Sequence, residues 1–188
     1  MKKGLLIILS GPSGVGKGTV RELLMKDPSL NLFYSVSMTT RNKRPHEVEG
    51  KDYYFVSKEE FLSNLERGNL LEHAEFVGNY YGTPKDKVER QLEEGKNVLL
   101  EIDVQGTLTI LKKMKDCVSI FLLPPSLSSL EERIRGRSTE TEEVIEKRLD
   151  KARKELDMAK FYKYQVCNDV VENAANKIAS IIRNEMNK

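Results

Sequence analysis

Leu5-Leu6-Ile7-Ile8-Leu9-Ser10-Gly11-Pro12-Ser13-Gly14-Val15-Gly16-Lys17-Gly18-Thr19 decides how this 188-residue chain is read. A short apolar run ends in a glycine-rich turn, and a helical pattern opens at the lysine. A phosphate-binding loop requires that order. Its glycines let successive backbone N–H groups turn toward one anion, the helix start adds partial positive charge, and the lysine reaches the outer phosphates. Gly11, Pro12, Ser13, Gly14, Val15, Gly16, Lys17, Gly18 and Thr19 are the expected contacts of a nucleotide polyphosphate. Gly18 departs from the common pattern, in which Ser or Thr follows the lysine and ligates Mg²⁺. The metal is therefore expected to be held mainly by nucleotide oxygens and water, which suits the reluctance of Mg²⁺ to dehydrate. Thr19 is a nearby phosphate contact and no obvious replacement. The loop alone leaves GTPases, motor ATPases and small-molecule kinases all open.

Outward from the loop, further apolar stretches at residues 98–102, 118–123 and 164–167 read as buried strands. Helical patterns cover 17–26, 85–94, 104–114, 127–135, 141–159 and 170–186. Strands alternating with helices predict an α/β fold: a parallel sheet covered by helices on both faces. Residues 34–83 break this rhythm with short alternating segments at 52–56 and 70–77 around one helical run at 58–67, and form a small, mostly β insertion. Pro124-Pro125 ends a strand and begins a charged helical hairpin at 126–153. The expected core unit is then 1–33, 84–125 and 154–188.

Lys and Arg number 31 against 29 Asp and Glu, a formal net charge of +2. That balance supplies no field for nucleic acid or an anionic membrane, so neither is an expected partner. Met1-Lys2-Lys3 before the first apolar run faintly resembles a signal peptide, but the run is short and leads straight into the glycine turn. No stretch approaches the roughly 20 apolar residues of a membrane span. Cys117 and Cys167 lie singly in apolar segments, which fits two buried thiols in a reducing compartment, the cytoplasm.

Ser35-Val36-Ser37-Met38-Thr39-Thr40-Arg41-Asn42-Lys43-Arg44-Pro45 sets two arginines among hydroxyls. Glu49-Gly50-Lys51-Asp52-Tyr53-Tyr54-Phe55 follows, then Glu72-His73-Ala74-Glu75-Phe76-Val77-Gly78-Asn79-Tyr80-Tyr81-Gly82-Thr83, then Leu100-Glu101-Ile102-Asp103-Val104-Gln105-Gly106. In this order behind this loop, residues 5–169 resemble the guanylate kinase family. The resemblance implies a P-loop NTPase fold in which residues 34–83 bind a nucleoside monophosphate and 126–153 form a mobile lid. The implied activity is transfer of a phosphoryl group from ATP, with Mg²⁺, to GMP or dGMP in purine metabolism. It implies that Ser37, Arg41, Arg44, Tyr53 and Tyr81 hold the GMP phosphate, and that Glu72, Thr83 and Asp103 read guanine. Arg137 and Arg148 are assigned to the phosphates of ATP and of the transition state, making Lys17, Arg41, Arg44, Arg137 and Arg148 the catalytic cations. Asp103 and Glu101 also fit a place near the metal or its waters, and Asn168-Asp169 resembles the adenine contact, although Asp169 fits a helix cap as well.

The residue chemistry agrees. Guanidinium forks and tyrosine hydroxyls suit a monoester phosphate. A carboxylate pairs with the N1–H and 2-amino donors of guanine, whereas adenine sets an unprotonated N1 against it and leaves a buried acceptor unpaired. Tyr54, Tyr80, Glu75 and His73 are read as structural and His46 as a solvent-facing loop residue. Adenylate kinases share Gly-Lys-Gly-Thr but do not need Glu72 and Thr83. Scaffold modules that resemble guanylate kinases and only bind peptides typically lack an intact loop or the lid arginines. A nucleic-acid-binding ATPase would show a basic stripe.

Overall fold

The computed structural model describes residues 2–136 and 141–188. Along the chain run β1 (Leu6–Ser10), α1 (Lys17–Met25), β2 (Leu32–Tyr34), β3 (Ser37–Thr39), β4 (Tyr53–Phe55), α2 (Lys58–Glu66), β5 (Leu70–Phe76) and β6 (Asn79–Pro84). Then follow α3 (Lys85–Glu93), β7 (Asn97–Glu101), α4 (Val104–Lys113), β8 (Val118–Leu123), α5 (Leu127–Gly136), α6 (Glu142–Leu156), β9 (Tyr164–Cys167) and α7 (Val171–Met186).

Five strands form one parallel sheet in the order β2-β7-β1-β8-β9. The central strand β1 is buried along its whole length. Its side chains alternate between two cores: Ile7 and Leu9 pack with residues of α1, α5, α6 and α7, whereas Leu6 and Ile8 pack with residues of α3 and α4. Burial on both faces is what makes such strands continuously apolar. Asn97 ties the sheet's entry together: its amide donates to Leu30 O at 2.8 Å and accepts from Leu5 N at 2.9 Å.

A second sheet, β4-β3-β6-β5, is mixed, with β3 and β4 parallel and the other pairs antiparallel. Phe61 of α2 is fully buried and stacks on Tyr80, ring centroids 5.4 Å apart, so Tyr80 is structural as expected. Tyr54 accepts a hydrogen bond from Lys87 Nζ at 2.6 Å. His46 and His73 are exposed.

The structure corrects several expectations. Residues 32–34 are a fifth strand of the parallel sheet, so a boundary between 33 and 34 cuts β2. At the edge of the sheet and only half-buried, β2 lacks the apolar run of its neighbours. The pattern at 141–159 is not one helix, because α6 stops at Leu156 and Asp157–Phe161 tighten into a 3₁₀ turn. Asp169 does not cap α7: its Oδ1 accepts from Val170 N, and the N-cap residue Val170 makes no side-chain cap. Cys117 is buried but Cys167 only half-buried, and both thiols are free.

Val77 and Gly78 join β5 to β6 with φ of 48° and 73°. Two consecutive left-handed residues make a type I′ hairpin turn, which favours Asn-Gly and disfavours a β-branched first residue. Val77 is also 77% exposed, so no packing compensates. Val77→Asn should stabilise the protein by about 1 kcal/mol and raise the melting midpoint by about 2–4 °C. An unchanged or lower midpoint in thermal denaturation would show that the turn carries no strain.

Candidate active site

At the carboxyl end of β1 the chain turns through Gly11, Gly14 and Gly16, with φ of 150°, 83° and 98°, and enters α1 at Lys17. The Val15 carbonyl accepts two hydrogen bonds, from Asn168 Nδ2 at 2.8 Å and from Arg133 Nη1 at 3.2 Å. Gly16 lets Asn168 approach this closely, because a Cβ there would lie 2.7 Å from the same Nδ2. Asn168 is buried and its Oδ1 has no hydrogen-bond partner among the described residues. Lys17 Nζ lies back on the loop, donating to Gly11 O at 2.8 Å and Pro12 O at 3.2 Å. Burial lowers its pKa, while the charges of Glu101, Glu155 and Asp103 act in the opposite direction. At Gly18 a Cβ would meet nothing beyond its own helix nearer than Glu101 Oε1 at 4.0 Å, so space does not account for the missing hydroxyl.

The facing wall comes from the second sheet and the loop after β3. Arg41 forms a two-pronged pair with Glu47, Nη2 to Oε1 at 2.6 Å and Nη1 to Oε2 at 3.1 Å, and Arg44 N donates to the same carboxylate at 2.8 Å. The hydrogen bond from Arg41 holds the buried Glu47 below the usual carboxylate range against the opposing effect of burial. The Arg41 guanidinium lies 5.4 Å from the Tyr53 ring centroid, and Tyr53 meets Tyr81 edge-on at 6.0 Å.

Glu72 of β5 is buried where β5 meets α4. Its Oε1 accepts from Thr83 Oγ1 at 2.6 Å, so the Thr83 hydroxyl proton is committed to Glu72. Its Oε2 lies against Gly106, where a Cβ would come within 2.2 Å. Burial pushes the Glu72 carboxyl up to about 7, with the Thr83 hydrogen bond opposing and the Asp103 charge reinforcing. Asp103 caps α4 through Oδ1, accepting from Gly106 N at 2.8 Å, and turns Oδ2 toward Lys151 Nζ at 3.9 Å. Glu101 Oε2 pairs with Arg21 Nη1 at 2.8 Å.

Both walls enclose one cavity of about 660 Å³. Of the residues singled out from the sequence, Gly11, Ser13, Gly14, Lys17, Ser37, Arg41, Arg44, Tyr53, Glu72, Tyr81, Glu101, Asp103 and Arg148 line it. Pro12, Val15, Gly16, Gly18, Thr19, Thr83, Asn168 and Asp169 lie off its lining. Arg137 falls outside the described residues. Glu47, Arg133, Lys151 and Glu155 also line the cavity and were not singled out from sequence. Glu47 carried a faint signal as the first acidic residue after Arg41 and Arg44; Lys151 and Glu155 had only helical spacing from Arg148, and Arg133, on α5, had none. Among the described residues no cluster of three or more His, Cys, Asp or Glu is arranged to hold a metal, and no helix is long and apolar enough to cross a membrane.

A glycine loop at the carboxyl end of a central parallel strand, facing an arginine–tyrosine wall across one cavity, defines a P-loop phosphotransferase with room for two phosphorylated ligands. Comparison with known proteins narrows the class. The family model for guanylate kinase matches residues 3–185. The chain is 53% identical over 184 residues to the guanylate kinase of Listeria monocytogenes serotype 4b (strain F2365), covering 98% of this chain and 90% of that one. It is 55% identical to that of Bacillus anthracis with the same coverage. A crystal structure of guanylate kinase from Anaplasma phagocytophilum superposes with a TM-score of 0.84 at 38% identity, covering 100% of this chain and 88% of that one. The chain belongs to the guanylate kinase family, whose activity is the phosphorylation of GMP.

The buried Glu72 sets a pH dependence. Its pKa rises from 4.5 to about 7 on folding, so ionising it costs stability, absent below the unfolded value and growing as pH rises through the folded one. Glu72→Gln removes that cost. The variant should gain on the ligand-free parent between pH 5 and 8, by up to about 3 kcal/mol at the upper end. A stability difference that stays constant from pH 5 to 8 in denaturant melts would remove this origin.

Proposed function

We propose that the cavity performs direct in-line transfer of the γ-phosphoryl group of ATP to a phosphate oxygen of GMP. The observation that carries this reading is the placement of Glu72, a carboxylate buried opposite the phosphate loop with one oxygen fixed by Thr83 and the other reached from the cavity side beside Gly106. A base presenting two adjacent N–H donors suits that carboxylate, and guanine has them. Because the Thr83 proton is already given to Glu72, Thr83 acts on the base by orienting the carboxylate. Asp103, at the head of α4, is the second acceptor in reach.

The phosphate of GMP lies along Ser37, Arg41, Arg44, Tyr53 and Tyr81, with Glu47 holding the Arg41 fork and the Arg44 backbone in place. The polyphosphate of ATP takes the loop from Gly11 to Thr19, and adenine lies by Asn168 and Asp169. The bond that forms joins a GMP phosphate oxygen to the γ-phosphorus, and the bond that breaks joins that phosphorus to the β,γ-bridging oxygen. The nucleophile is already anionic, so no general base is needed. The requirement is positive charge and the exclusion of water. Lys17, Arg41, Arg44, Arg137 and Arg148 supply the charge. ATP enters as its magnesium complex, whose metal neutralises phosphate charge. The space at Gly18 and the outward carboxylates of Glu101 and Asp103 suit a metal that keeps its waters. Residues 35–83, after β2, act as the GMP-binding subdomain and 126–153 as the lid on the remaining core. Two free thiols support a reducing compartment, the cytoplasm.

ADP formation from ATP and Mg²⁺ should depend on GMP and stay at background with AMP, CMP or UMP. Binding of GMP without turnover by any acceptor would make the chain a binding module instead. Arg44→Ala should lower kcat on the order of 10²-fold, the usual effect of losing one charge-stabilising donor, while ATP affinity changes less than twofold. Normal turnover in that variant would take Arg44 out of the site.

A further inference from the structure

Arg148, Lys151 and Glu155 follow one another at three and four residues on α6, so one stripe of the helix turns all three toward the cavity, whose wall they share. Arg148 belongs to the site already described. Lys151 does not, and its surroundings are unusual for a structural lysine. Its Nζ lies 3.7 Å from Glu155 Oε1, 3.9 Å from Asp103 Oδ2 and 3.9 Å from the centroid of the Phe76 ring. Each carboxylate contact is longer than a good hydrogen bond. The ammonium is therefore held at the cavity wall by carboxylates on two different elements and by an aromatic face on a third, with donor capacity left over.

Across the cavity stands the Lys17 ammonium. Burial is the main reason that Lys17 holds its proton less tightly, and the Lys151 charge acts in the same direction, so the two cations feel one another through the cavity. Asp103 and Glu155 pull on Lys17 from the other side, and both flank Lys151. Both lysines line the one cavity, and the same two carboxylates act on both. An anion entering between them exchanges long carboxylate contacts for direct ones and relieves the repulsion. A phosphate loop opening on this cavity suits the outer oxygens of a polyphosphate as that anion.

We propose that Lys151 is a further catalytic residue of the transfer, donating to an oxygen of the γ-phosphoryl group as it passes between the phosphate loop and GMP. The proposal rests on the reading of the cavity as a kinase site. Glu155 and Asp103 fix Lys151 in advance at the foot of the lid helix, beside the head of α4, so its charge is in place before any closure.

Lys151→Met keeps the unbranched stem on Phe76 and the helix, and removes only the charge. It should reduce kcat at least about tenfold, in the range of a lost charge-assisted hydrogen bond, with KM for GMP changed less than threefold. Lys151→Arg should recover at least a third of the parent kcat. Calorimetric binding of inorganic tripolyphosphate, which needs neither GMP nor turnover, should weaken about tenfold in Lys151→Met. This arm decides the role of Lys151 even if the parent protein proves unable to phosphorylate GMP, an outcome that would count only against the kinase reading. The proposal is overturned if Lys151→Met retains kcat and tripolyphosphate affinity within twofold of the parent, whether or not its melting point falls. It is equally overturned if Lys151→Arg is as impaired as Lys151→Met while both remain folded.

Discussion

Strand β1 is hydrogen-bonded on both sides and buried on both faces, so its carboxyl end is a fixed point. The glycine loop begins there. Its shape is set before any ligand arrives, because Asn168 and Arg133 hold the Val15 carbonyl and the carbonyls of Gly11 and Pro12 hold Lys17. Backbone N–H groups fixed in this way need no reorganisation to receive a phosphate. The facing wall, carried on a separate sheet, has only to be placed relative to that one point.

The ligand-free cavity is crowded with charge, and several cations in and beside it have carboxylate partners within the protein. Arg41 has Glu47, Arg21 has Glu101, and Lys151 has Glu155 and Asp103. These pairs do not add much net stability, since desolvation offsets attraction. On the proposed reading, their value is to keep side chains extended toward the phosphates. Glu72 works differently. Among the described residues it has no cationic partner at hydrogen-bond distance, only Thr83, and the fold bears the cost of a buried carboxylate. Two donors from a bound base would satisfy it, so the least comfortable group in the free protein is the one that a matching ligand relieves most.

Legibility in the sequence followed the range of the interactions. The central strands β1, β7 and β8 were readable because burial on both faces leaves a nearly continuous apolar run, and β9 beside them, only partly buried, was readable as a short stretch around Val166. The glycine loop was readable because its chemistry lies within a few consecutive residues. The strands β2, β3 and β6 were not, since Leu32-Phe33-Tyr34 and Ser37-Met38-Thr39 become strands only through partners distant in the chain. The same holds for side chains. Ser37, Arg41, Tyr53 and Glu72 were found through the register of several motifs together, whereas nothing local distinguishes Glu155 from the other acids of a charged helix. Its burial beside Lys151 and within reach of the Lys17 charge is a tertiary fact. Likewise, only packing reveals that Thr83 serves the carboxylate and that Asp169 leaves α7 uncapped.

Gly106 binds two distant parts of the chain into one inherited unit. A Cβ at this position would stand 2.2 Å from Glu72 Oε2, so the site tolerates a side chain at 106 only after the acid at 72 has been exchanged for something shorter. A descendant that acquires alanine at 106 first passes through a clash. One that first gives up Glu72 meets no such barrier. On the proposed role of Glu72 in base recognition, position 72 can change before position 106 but not the reverse.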